Sequence, residues 1–509
     1  MSYFAAGPKL GRAMVRKRMR KRDMSKRVLL GLAVMLLVLG AIAVVRASTL
    51  TSRQVQVPKL DDAPVDSALV AKHMSELLRH ATISSADDGS LPAVLALHET
   101  LKTNYPRTFE KLAPEVVAKG SLLFTWKGSD ASLAPLLLLA HMDVVPVEPG
   151  TEKGWTHPAF DGTVEGGFVW GRGALDDKLS LLGIMEATEE LLAHGFVPKR
   201  TLILAFGHDE EIAGKHGAVV MAELLASRGV HAELAVDEGG AITDGMIPQV
   251  PAKVAVIGLG EKGYATVTLS VEAPGGHSST PAAHTSIGIL ASALAKLESH
   301  PMEPRIDGAM RQFASYTAPE MGFGPKVAFS NLWLTELVVI RALAGSTTTN
   351  ATIRTTTAVT MFNGGVKDNV IPQSAKATVN FRILPGDSSA SVLEHIRLSV
   401  SDERVKATVE ASSLAEPSPL SSADSPGFTA LARTIREVFP DTVVAPSLTL
   451  GATDGRHYVK VAKDVYRFLP VVLKPTDMTR VHGTDERVSV DAVRDAVRFY
   501  RRLIDTTCK

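Results

Sequence analysis

The pattern of apolar and polar residues divides the chain into three kinds of segment. Residues 28–45, VLLGLAVMLLVLGAIAVV, carry no charge. Further along, short continuous apolar runs alternate with helical stretches, and beyond residue 264 the apolar residues occupy every second position. These patterns predict a membrane-length helix, a sheet buried on both faces and a sheet with one open face.

The uncharged segment is long enough to cross a bilayer as a helix. At about 1.5 Å per residue, its length is close to a hydrocarbon core of about 30 Å. The basic run VRKRMRKRDMSKR precedes it, so the positive-inside rule predicts that residues 1–27 are cytoplasmic and that everything after Arg46 is extracytoplasmic. A cleaved signal peptide is the alternative, because small residues follow in AIAVVRAS. The length of the apolar segment favours an uncleaved anchor, with residues 46–64 as a tether.

Three apolar runs of strand length predict a parallel sheet covered on both faces. They are PLLLLAHMD (135–143), TLILAFGHDEE (201–211) and AELAVDEGG (232–240). Each run ends in His, Asp or Glu, and open α/β sheets bind ligands at the carboxyl ends of their strands. We therefore expect the following side chains to converge on one rim: His141, Asp143, Glu210, Glu211, Asp237 and Glu238.

Two further segments add acidic and histidine residues. Asp176 and Asp177 precede a helix whose apolar stripe predicts burial; an N-cap is the alternative role for these residues, and for one of the pair it could be the whole role. His482 precedes a predicted C-terminal helix over residues 490–505. This collection of His, Asp and Glu is what two zinc ions that share a bridging carboxylate require.

From residue 264 the apolar residues alternate strictly with polar residues. The alternation occurs in YATVTLSVEA (264–273) and AKATVNFRILPG (375–386), with a predicted helix near residues 285–300 between them. Period two predicts an antiparallel sheet backed by helices, with Arg382 on the open face. The chain is thus predicted to have an α/β catalytic domain, residues 65–261 and 415–509, and an inserted α+β domain, residues 262–414.

Composition alone excludes few functions. With 509 residues, of which 45% are hydrophobic, the chain can form more than one core. A formal net charge of +1 gives no sign of nucleic-acid binding, so no nucleic-acid partner is expected. The single cysteine, Cys508, cannot form an internal disulfide.

Six short motifs in order resemble the di-zinc aminoacylase and carboxypeptidase family, across roughly residues 65–505. They are HMDVVP (141–146), GRGALDDK (171–178), HDEE (208–211), DEGG (237–240), GGHSSTP (275–281) and HGTDE (482–486). That family includes aminoacylase, glutamate carboxypeptidase and succinyl-diaminopimelate desuccinylase. NVIP and ATDGRHY make the chain most similar to carboxypeptidase S and secreted relatives acting on N-acyl amino acids. The resemblance implies a zinc-peptidase domain with an inserted ferredoxin-like lid or dimerisation domain.

The resemblance also implies two Zn²⁺ ions per subunit, although other divalent metals would suit the same ligands. His141 would bind one ion, Asp176 would bridge both, and Glu211 and His482 would complete the second site. The fifth ligand would be Glu238, which we favour, or Asp237. Two supporting catalytic roles follow: Asp143 would orient the His141 imidazole, and Glu210 would act as general base.

Substrate contacts are implied in the same way. Arg382 would grip a substrate carboxylate, for which a planar guanidinium is suited. His277 would hydrogen-bond the scissile carbonyl, in some family members from a partner subunit, so a homodimer is one expectation. Asn369 and Gly451 are further candidate contacts.

The expected protein is a membrane-anchored metallohydrolase that cleaves the amide bond next to a free carboxylate in small peptides or N-acyl amino acids. Two alternatives remain at this stage. One is an aminopeptidase or deacetylase with the same metal core, and the other is a metal-free binding protein of the same fold.

Overall fold

The computed structural model describes residues 9–58, 60, 64–87, 89–247 and 249–509, with side chains from residue 26 onward. The predicted tail, residues 1–27, therefore begins outside the described residues, and part of the predicted tether also lies outside them. The helices are α1 (Lys9–Thr49), α2 (Ser67–Leu78), α3 (Leu91–Asn104), α4 (Pro106–Leu112), α5 (Lys178–Ala193), α6 (Ala218–Ser227), α7 (Ser286–Ser299), α8 (Gly308–Thr317), α9 (Phe323–Ser330), α10 (Leu332–Leu343), α11 (Thr347–Ile353), α12 (Ser389–Val400), α13 (Pro426–Val438) and α14 (Val490–Cys508).

The strands form one large sheet, one four-stranded sheet and two small ones. They are β1 (Glu115–Val117), β2 (Ser121–Trp126), β3 (Leu136–His141), β4 (Val164–Glu165), β5 (Phe168–Trp170), β6 (Leu202–Gly207), β7 (Ala232–Asp237), β8 (Ile242–Thr243), β9 (Val254–Glu261), β10 (Gly263–Glu272), β11 (Gly276–His277), β12 (Thr356–Gly364), β13 (Val370–Ile371), β14 (Ser374–Ile383), β15 (Val405–Val409), β16 (Val443–Thr449), β17 (Ala462–Arg467), β18 (Val472–Leu473) and β19 (Arg487–Ser489).

The large sheet has the order β1-β2-β6-β3-β7-β17-β9-β8-β18, with β16 paired to β9. Its centre is parallel, because β3 pairs with both β6 and β7 in that sense, and β7 pairs with β17. Every residue of β3 and β6 is buried. Alternate side chains of these strands enter two different cores, Leu138 and Leu204 on one face and Leu137 and Ile203 on the other. Burial of both faces explains the continuous apolar runs, and the predicted parallel sheet is observed.

The four-stranded sheet is antiparallel and has the order β12-β14-β10-β15. With α7 and α12 packed on one face, its chain order is β-α-β-β-α-β, a ferredoxin-like arrangement. Alternate residues of β10 and β14 are buried, as the period of two requires. Tyr264 lies opposite Arg382 in the register of β10 and β14, so both side chains are on the face away from the helices.

A helical segment, residues 308–353, interrupts that sheet between α7 and β12 and contains α8 to α11. Helix α8 packs along β16 of the large sheet, and its Tyr316 belongs to the main core beside Phe428. The segment therefore contacts the large sheet, although in the chain it lies between two strands of the four-stranded sheet, β10 and β12. The predicted boundaries at residues 262 and 414 remain predictions.

Helix α1 is longer than the predicted span, and Lys26–Thr49 is the one candidate membrane helix among the described residues. After it, the chain runs along the large domain. Arg53 donates to Asp424 at 2.7 Å, and Gln54 exchanges two hydrogen bonds with the backbone of Val444. The first part of the predicted tether is therefore packed against the protein, which sets the position of α1 relative to the domain.

Candidate active site

Three neighbouring parallel strands bring the predicted site residues to one edge of the large sheet. β3 ends at His141, and β7 ends one residue before Glu238. β6 is followed by a 3₁₀ turn, Glu210–Ile212, which contains Glu211. Because the strands are adjacent in the order β6-β3-β7, their carboxyl ends place these side chains together.

Asp176 lies between two groups of donor atoms. Its Oδ1 is 2.9 Å from His141 Nε2, which in turn is 3.4 Å from Glu238 Oε1. Its Oδ2 is 3.0 Å from His482 Nε2, which is 3.3 Å from Glu211 Oε1. The two carboxylate oxygens of one residue thus face two separate His and Glu pairs.

These spacings fit divalent metal ions. Zinc bonds of about 2.0–2.2 Å place two ligands of a tetrahedral ion roughly 3.3–3.6 Å apart, close to the His–carboxylate distances here. Donor atoms of His141, Asp176 and Glu211 all lie within 4.8 Å of one another. Glu211 Oε1 is buried, and its one polar neighbour that the structure describes is His482 Nε2 at 3.3 Å, which suits an oxygen that binds a metal ion together with that imidazole.

The electrostatics of the cluster also favour cations. Burial raises the pKa of Glu238 well above its usual value, and the charges of Asp176 and Asp177 add to the effect. For Asp176 burial acts in the same direction, but hydrogen bonds from His141 and His482 outweigh it and lower the pKa. So much buried negative charge is stabilised when a cation binds.

The Asp143 carboxylate links the two sides of the site. It is fully buried and accepts the backbone N–H groups of Glu210 and Glu211, each at 3.1 Å, together with the Ser84 hydroxyl. Its Oδ1 is 3.4 Å from His141 Nδ1, whose nearest acceptor is the Asp143 backbone carbonyl at 3.0 Å. A proton held on Nδ1 leaves Nε2 free to bind a metal ion.

A buried ion pair that the sequence did not indicate joins GRGALDDK to HGTDE. Arg172 Nη1 donates to Glu486 Oε2 at 2.7 Å, and Arg172 Nη2 donates to the backbone carbonyl of His482 at 3.2 Å. Glu486 also accepts the backbone N–H groups of Gly173, Leu175 and Asp176. The pair therefore positions Asp176 and His482, which face each other on the second side of the cluster. In the sequence, the order of the motifs was the one feature that connected these two segments.

The structure distinguishes the two acids of DEGG. Glu238 contacts His141, whereas Asp237 accepts the backbone N–H of Gly455 at 2.5 Å and so holds the ATDGRHY loop. The geometry therefore favours Glu238 as the fifth ligand. Asp177 occupies the N-cap position of α5 but makes no capping hydrogen bond. Its carboxylate instead lies near the donor atoms of His141 and Glu238, a position that the N-cap interpretation did not anticipate.

The cluster opens into a cavity of about 1070 Å³. Asp176, Glu210, Glu211, Glu238 and His482 line one part of it. Three cationic side chains line another part: Arg382, Arg456 and Lys215. The remaining walls include apolar side chains: Ile212, Val219, Leu414, Leu448, Leu450, Met478 and Val481. The cavity thus combines an anionic cluster, guanidinium groups and an apolar surface.

Two of the four predicted substrate contacts line this cavity. They are Arg382, whose guanidinium lies 4.7 Å from the centre of the Tyr264 ring, and Gly451. Burial and the charge of Arg456 lower the pKa of Arg382, although it stays far above neutrality because guanidinium groups remain protonated in proteins. Two neighbouring cations form a site for an anion.

His277 and Asn369 lie elsewhere in the chain. His277 is exposed on β11, where its Nδ1 is 2.7 Å from the Ser279 hydroxyl. The carbonyl of Asn369 accepts the Ser278 backbone N–H in the same small hairpin. Neither lines the cavity of this subunit, so their role in substrate binding remains a prediction that requires a second subunit.

Comparison with known proteins places the chain in a family. The sequence model of Peptidase family M20/M25/M40 matches residues 137–506. A probable carboxypeptidase S-like 2 of Dictyostelium discoideum is 39% identical, with 90% of each chain covered. An N-fatty-acyl-amino acid synthase/hydrolase, PM20D1.1 of Danio rerio, is 42% identical over 83% of this chain and 82% of that one.

A solved structure has the same fold. The M20 family metallo-carboxypeptidase from Sulfolobus solfataricus superposes with a TM-score of 0.63 at 18% identity, covering 86% of this chain and 99% of that one. The chain belongs to the M20 peptidase family and is a metallohydrolase. The predicted family and enzyme class are confirmed, which sets aside the metal-free binding protein.

Proposed function

We propose that this protein is a membrane-anchored hydrolase of N-acyl amino acids that cleaves the amide bond next to the free carboxylate. One observation carries the proposal: the metal-ligand cluster, a pair of guanidinium groups and an apolar wall share one cavity. In an N-acyl amino acid, the amide would face the metal-ligand cluster, the carboxylate would face the guanidinium groups, and the acyl chain would face the apolar wall.

Arg382 binds the substrate carboxylate in this proposal, since a guanidinium can donate two parallel hydrogen bonds to it. Its stacking on Tyr264 limits its motion, and Arg456 adds a second positive charge. An aminopeptidase substrate has no carboxylate next to the cleaved bond and would leave these cations unpaired. The cations therefore favour the free-acid substrate over the aminopeptidase or deacetylase alternative.

The acyl group would contact the apolar walls. Leu448 lines the active-site cavity and also a second cavity of about 680 Å³, which is lined by Met310, Leu384 and Leu420 among others. Because Leu448 borders both cavities, the second cavity offers additional apolar volume for a long acyl chain. Similarity to the N-fatty-acyl-amino acid synthase/hydrolase of Danio rerio supports this substrate class, whereas similarity to the carboxypeptidase S-like protein of Dictyostelium discoideum supports peptides as the second candidate.

The site residues would divide the metal ligation as follows. His141, Asp176 and Glu238 would hold one ion, and Asp176, Glu211 and His482 the other. Bound divalent cations would polarise the amide carbonyl and make water easier to deprotonate. Asp143 keeps the His141 imidazole and the Glu211 backbone in place.

Glu210 acts first as the general base and then as the general acid of hydrolysis in this proposal. The water oxygen bonds to the amide carbonyl carbon, the C–N bond breaks, and the products are a carboxylic acid and a free amino acid. Glu210 takes a proton from the water and passes it to the leaving nitrogen. Without bound metal, burial and the charges of Asp454 and Glu211 raise the pKa of Glu210 well above its usual value.

The anchor in this proposal is the apolar part of α1, residues 28–45, with the N-terminus cytoplasmic. Lys26–Thr49 has the length and composition of a membrane span, and almost all of it is exposed. Basic residues precede the span and support the orientation that places the catalytic cavity outside the cytosol.

A hydrolysis screen tests the proposal. Full-length protein purified in detergent with Zn²⁺ is assayed for release of the free α-amino group from short-chain and long-chain N-acyl amino acids, their carboxamides, and dipeptides. We expect hydrolysis of the N-acyl acids and little of the carboxamides, with the Glu210→Gln variant as the inactive control. Preference for dipeptides would overturn the substrate class, and equal cleavage of acids and carboxamides would overturn the role of the carboxylate.

A further inference from the structure

Helix α10, Leu332–Leu343, has its apolar side chains on the outside. Leu337 is 73% exposed and Val338 is 64% exposed, and Trp333 and Leu334 are exposed beside them. Phe323, at the start of the neighbouring helix α9, is also exposed, and we name the set the apolar face: Phe323, Trp333, Leu334, Leu337 and Val338. Water-facing helices normally place such residues toward a core.

Of the polar side chains of the same helix, Thr335 and Glu336 are partly buried and Arg341 is exposed. Thr335 donates to the backbone carbonyls of Ala328 and Asn331 at 2.6 and 2.8 Å. Glu336 is paired with Arg311 of α8 at 3.7 Å. The exposed side of α10 therefore carries four large apolar side chains and one cation, Arg341, near its C-terminal end, a composition typical of helices that lie at the lipid headgroup boundary.

The apolar face is continuous with the candidate membrane helix. Ala43 and Ala47 are buried and Leu39 is partly buried on one side of α1, while the residues around them are exposed. Helix α9 packs on this side, and the buried Asn331 amide donates to the Ala43 carbonyl at 2.9 Å. The junction of α9 and α10 is therefore at the level of Ala43, inside the uncharged segment.

With residues 28–45 spanning the bilayer as proposed, that level corresponds to the boundary between lipid headgroups and acyl chains. Ala43 is three residues before Arg46, or about 5 Å along a helix axis. Interfacial helices insert their apolar face about 5–10 Å into this boundary, where Trp residues are also enriched. Trp333 meets that description, and its indole N–H is satisfied by the Asn331 side chain at 3.2 Å.

We propose that the apolar face inserts into the same bilayer leaflet that surrounds the end of α1, so that the protein has a second membrane contact besides its span. This inference rests on the proposed anchor, because the level of the face is set by α1. The occupant is lipid, since the face continues the lipid-exposed surface of α1. The helical segment also supplies Gly308, Ala309 and Met310 to the second cavity, so the contact holds that cavity near the membrane.

Tryptophan quenching in vesicles tests the contact on the full chain. The protein has four Trp residues, and Trp333 is the most exposed of them. It is reconstituted into vesicles whose lipids carry bromine near the headgroup end of the acyl chains. We expect quenching in the wild type that disappears in Trp333→Phe. Because the face contacts its own leaflet, the expected result does not depend on the direction of insertion.

Two charge variants and a flotation assay separate the possible outcomes. Leu337→Asp with Val338→Asp should abolish the quenching, while Val366→Asp, at a residue 96% exposed on a distant loop, should leave it unchanged. If the protein floats with the vesicles but Trp333 is not quenched, the second membrane contact is overturned and the proposed anchor stands. If the protein does not float with the vesicles, both the contact and the anchor are overturned. An unquenched Trp333 in a protein that is dimeric by light scattering would assign the face to a second copy of the chain.

Discussion

The backbone N–H of Glu211 donates to the carboxylate of Asp143 at 3.1 Å, which joins two strand ends of the large sheet. The neighbouring N–H of Glu210 donates to the other oxygen of the same carboxylate, also at 3.1 Å. Burial opposes ionisation of Asp143, but hydrogen bonds from His141 and Ser84 outweigh it and lower its pKa. One ionised group thus fixes a proposed metal ligand and the proposed base relative to each other.

Glu210→Gln should preserve metal binding and remove most activity. The substitution keeps the shape and the backbone hydrogen bond to Asp143 but removes the group that accepts a proton. General-base catalysis contributes roughly 10²–10⁴-fold, so kcat should fall within that range while KM changes little. Initial rates and metal content by mass spectrometry check this expectation.

Glu223→Gln is the matched control for Glu210, because Glu223 is exposed on α6 and does not line the cavity. It should match the wild type in both rate and metal content. Loss of metal in Glu210→Gln would instead identify Glu210 as a ligand.

Substitutions of the DEGG acids should separate ligation from structure. Glu238→Gln should lower the affinity for one metal ion, because the carboxylate beside His141 is lost. Asp237→Asn should keep the metal and lower thermal stability, because it weakens the buried acceptor of the Gly455 N–H. Metal titration and melting temperature measured on both variants check the two outcomes. The opposite pattern would make Asp237 the fifth ligand.

Much of the site could be predicted because parallel strands end at one edge of a sheet. The apolar runs placed His141, Glu211 and the DEGG acids there without any knowledge of contacts. The choice between Asp237 and Glu238 could not be made, because it depends on which way each side chain leaves a turn. That direction is set by Gly455, which is more than 200 residues away in the chain.

The exposed apolar side of α10 could not be predicted from the sequence either. LWLTELVVIRAL is consistent with an ordinary core helix, since apolar composition does not say which side faces the protein. Only the packing of Asn331 against α1 and the exposures of Trp333, Leu334, Leu337 and Val338 show which side of the helix is left uncovered. The pair of Arg172 and Glu486 was missed for the same reason, because it joins segments more than 300 residues apart.

The chelated protein should show a pH-dependent stability that arises from His482. Hydrogen bonds to Asp176 and Glu211 raise the pKa of His482 to about 10. A raised pKa contributes stability that is complete below the unfolded-state value of about 6.5 and is lost as the pH rises toward 10. The difference in melting temperature between wild type and His482→Gln should therefore shrink between pH 6.5 and 10.

The exposed His231 provides the control for this pH series. His231→Gln should differ little from the wild type at any pH, and a constant difference for His482→Gln would contradict the linkage. Metal binding must displace the His482 proton, so zinc affinity should rise over the same pH window.

The orientation of the anchor can be tested with epitopes at both termini. Protease added to intact cells or spheroplasts should remove a C-terminal epitope and leave an N-terminal epitope protected, because the basic run retains the N-terminus in the cytosol. Protection of the C-terminal epitope would reverse the proposed orientation. A released catalytic domain that lacks the N-terminal epitope would indicate a cleaved signal peptide.

Arg382→Ala should impair hydrolysis of free acids far more than hydrolysis of the corresponding carboxamides. Leaving one side of a buried charge-assisted pair without its partner costs about 2–5 kcal/mol, or roughly 30- to 5,000-fold in kcat/KM. A carboxamide cannot form the ion pair, so wild type and variant should cleave it at similar rates. The control is Arg397→Ala on α12, whose exposed guanidinium pairs with Glu394 and should contribute little. Equal free-acid activity of wild type and Arg382→Ala would show that the carboxylate is bound elsewhere, and Arg456, the other guanidinium of the cavity, would be the next residue to substitute.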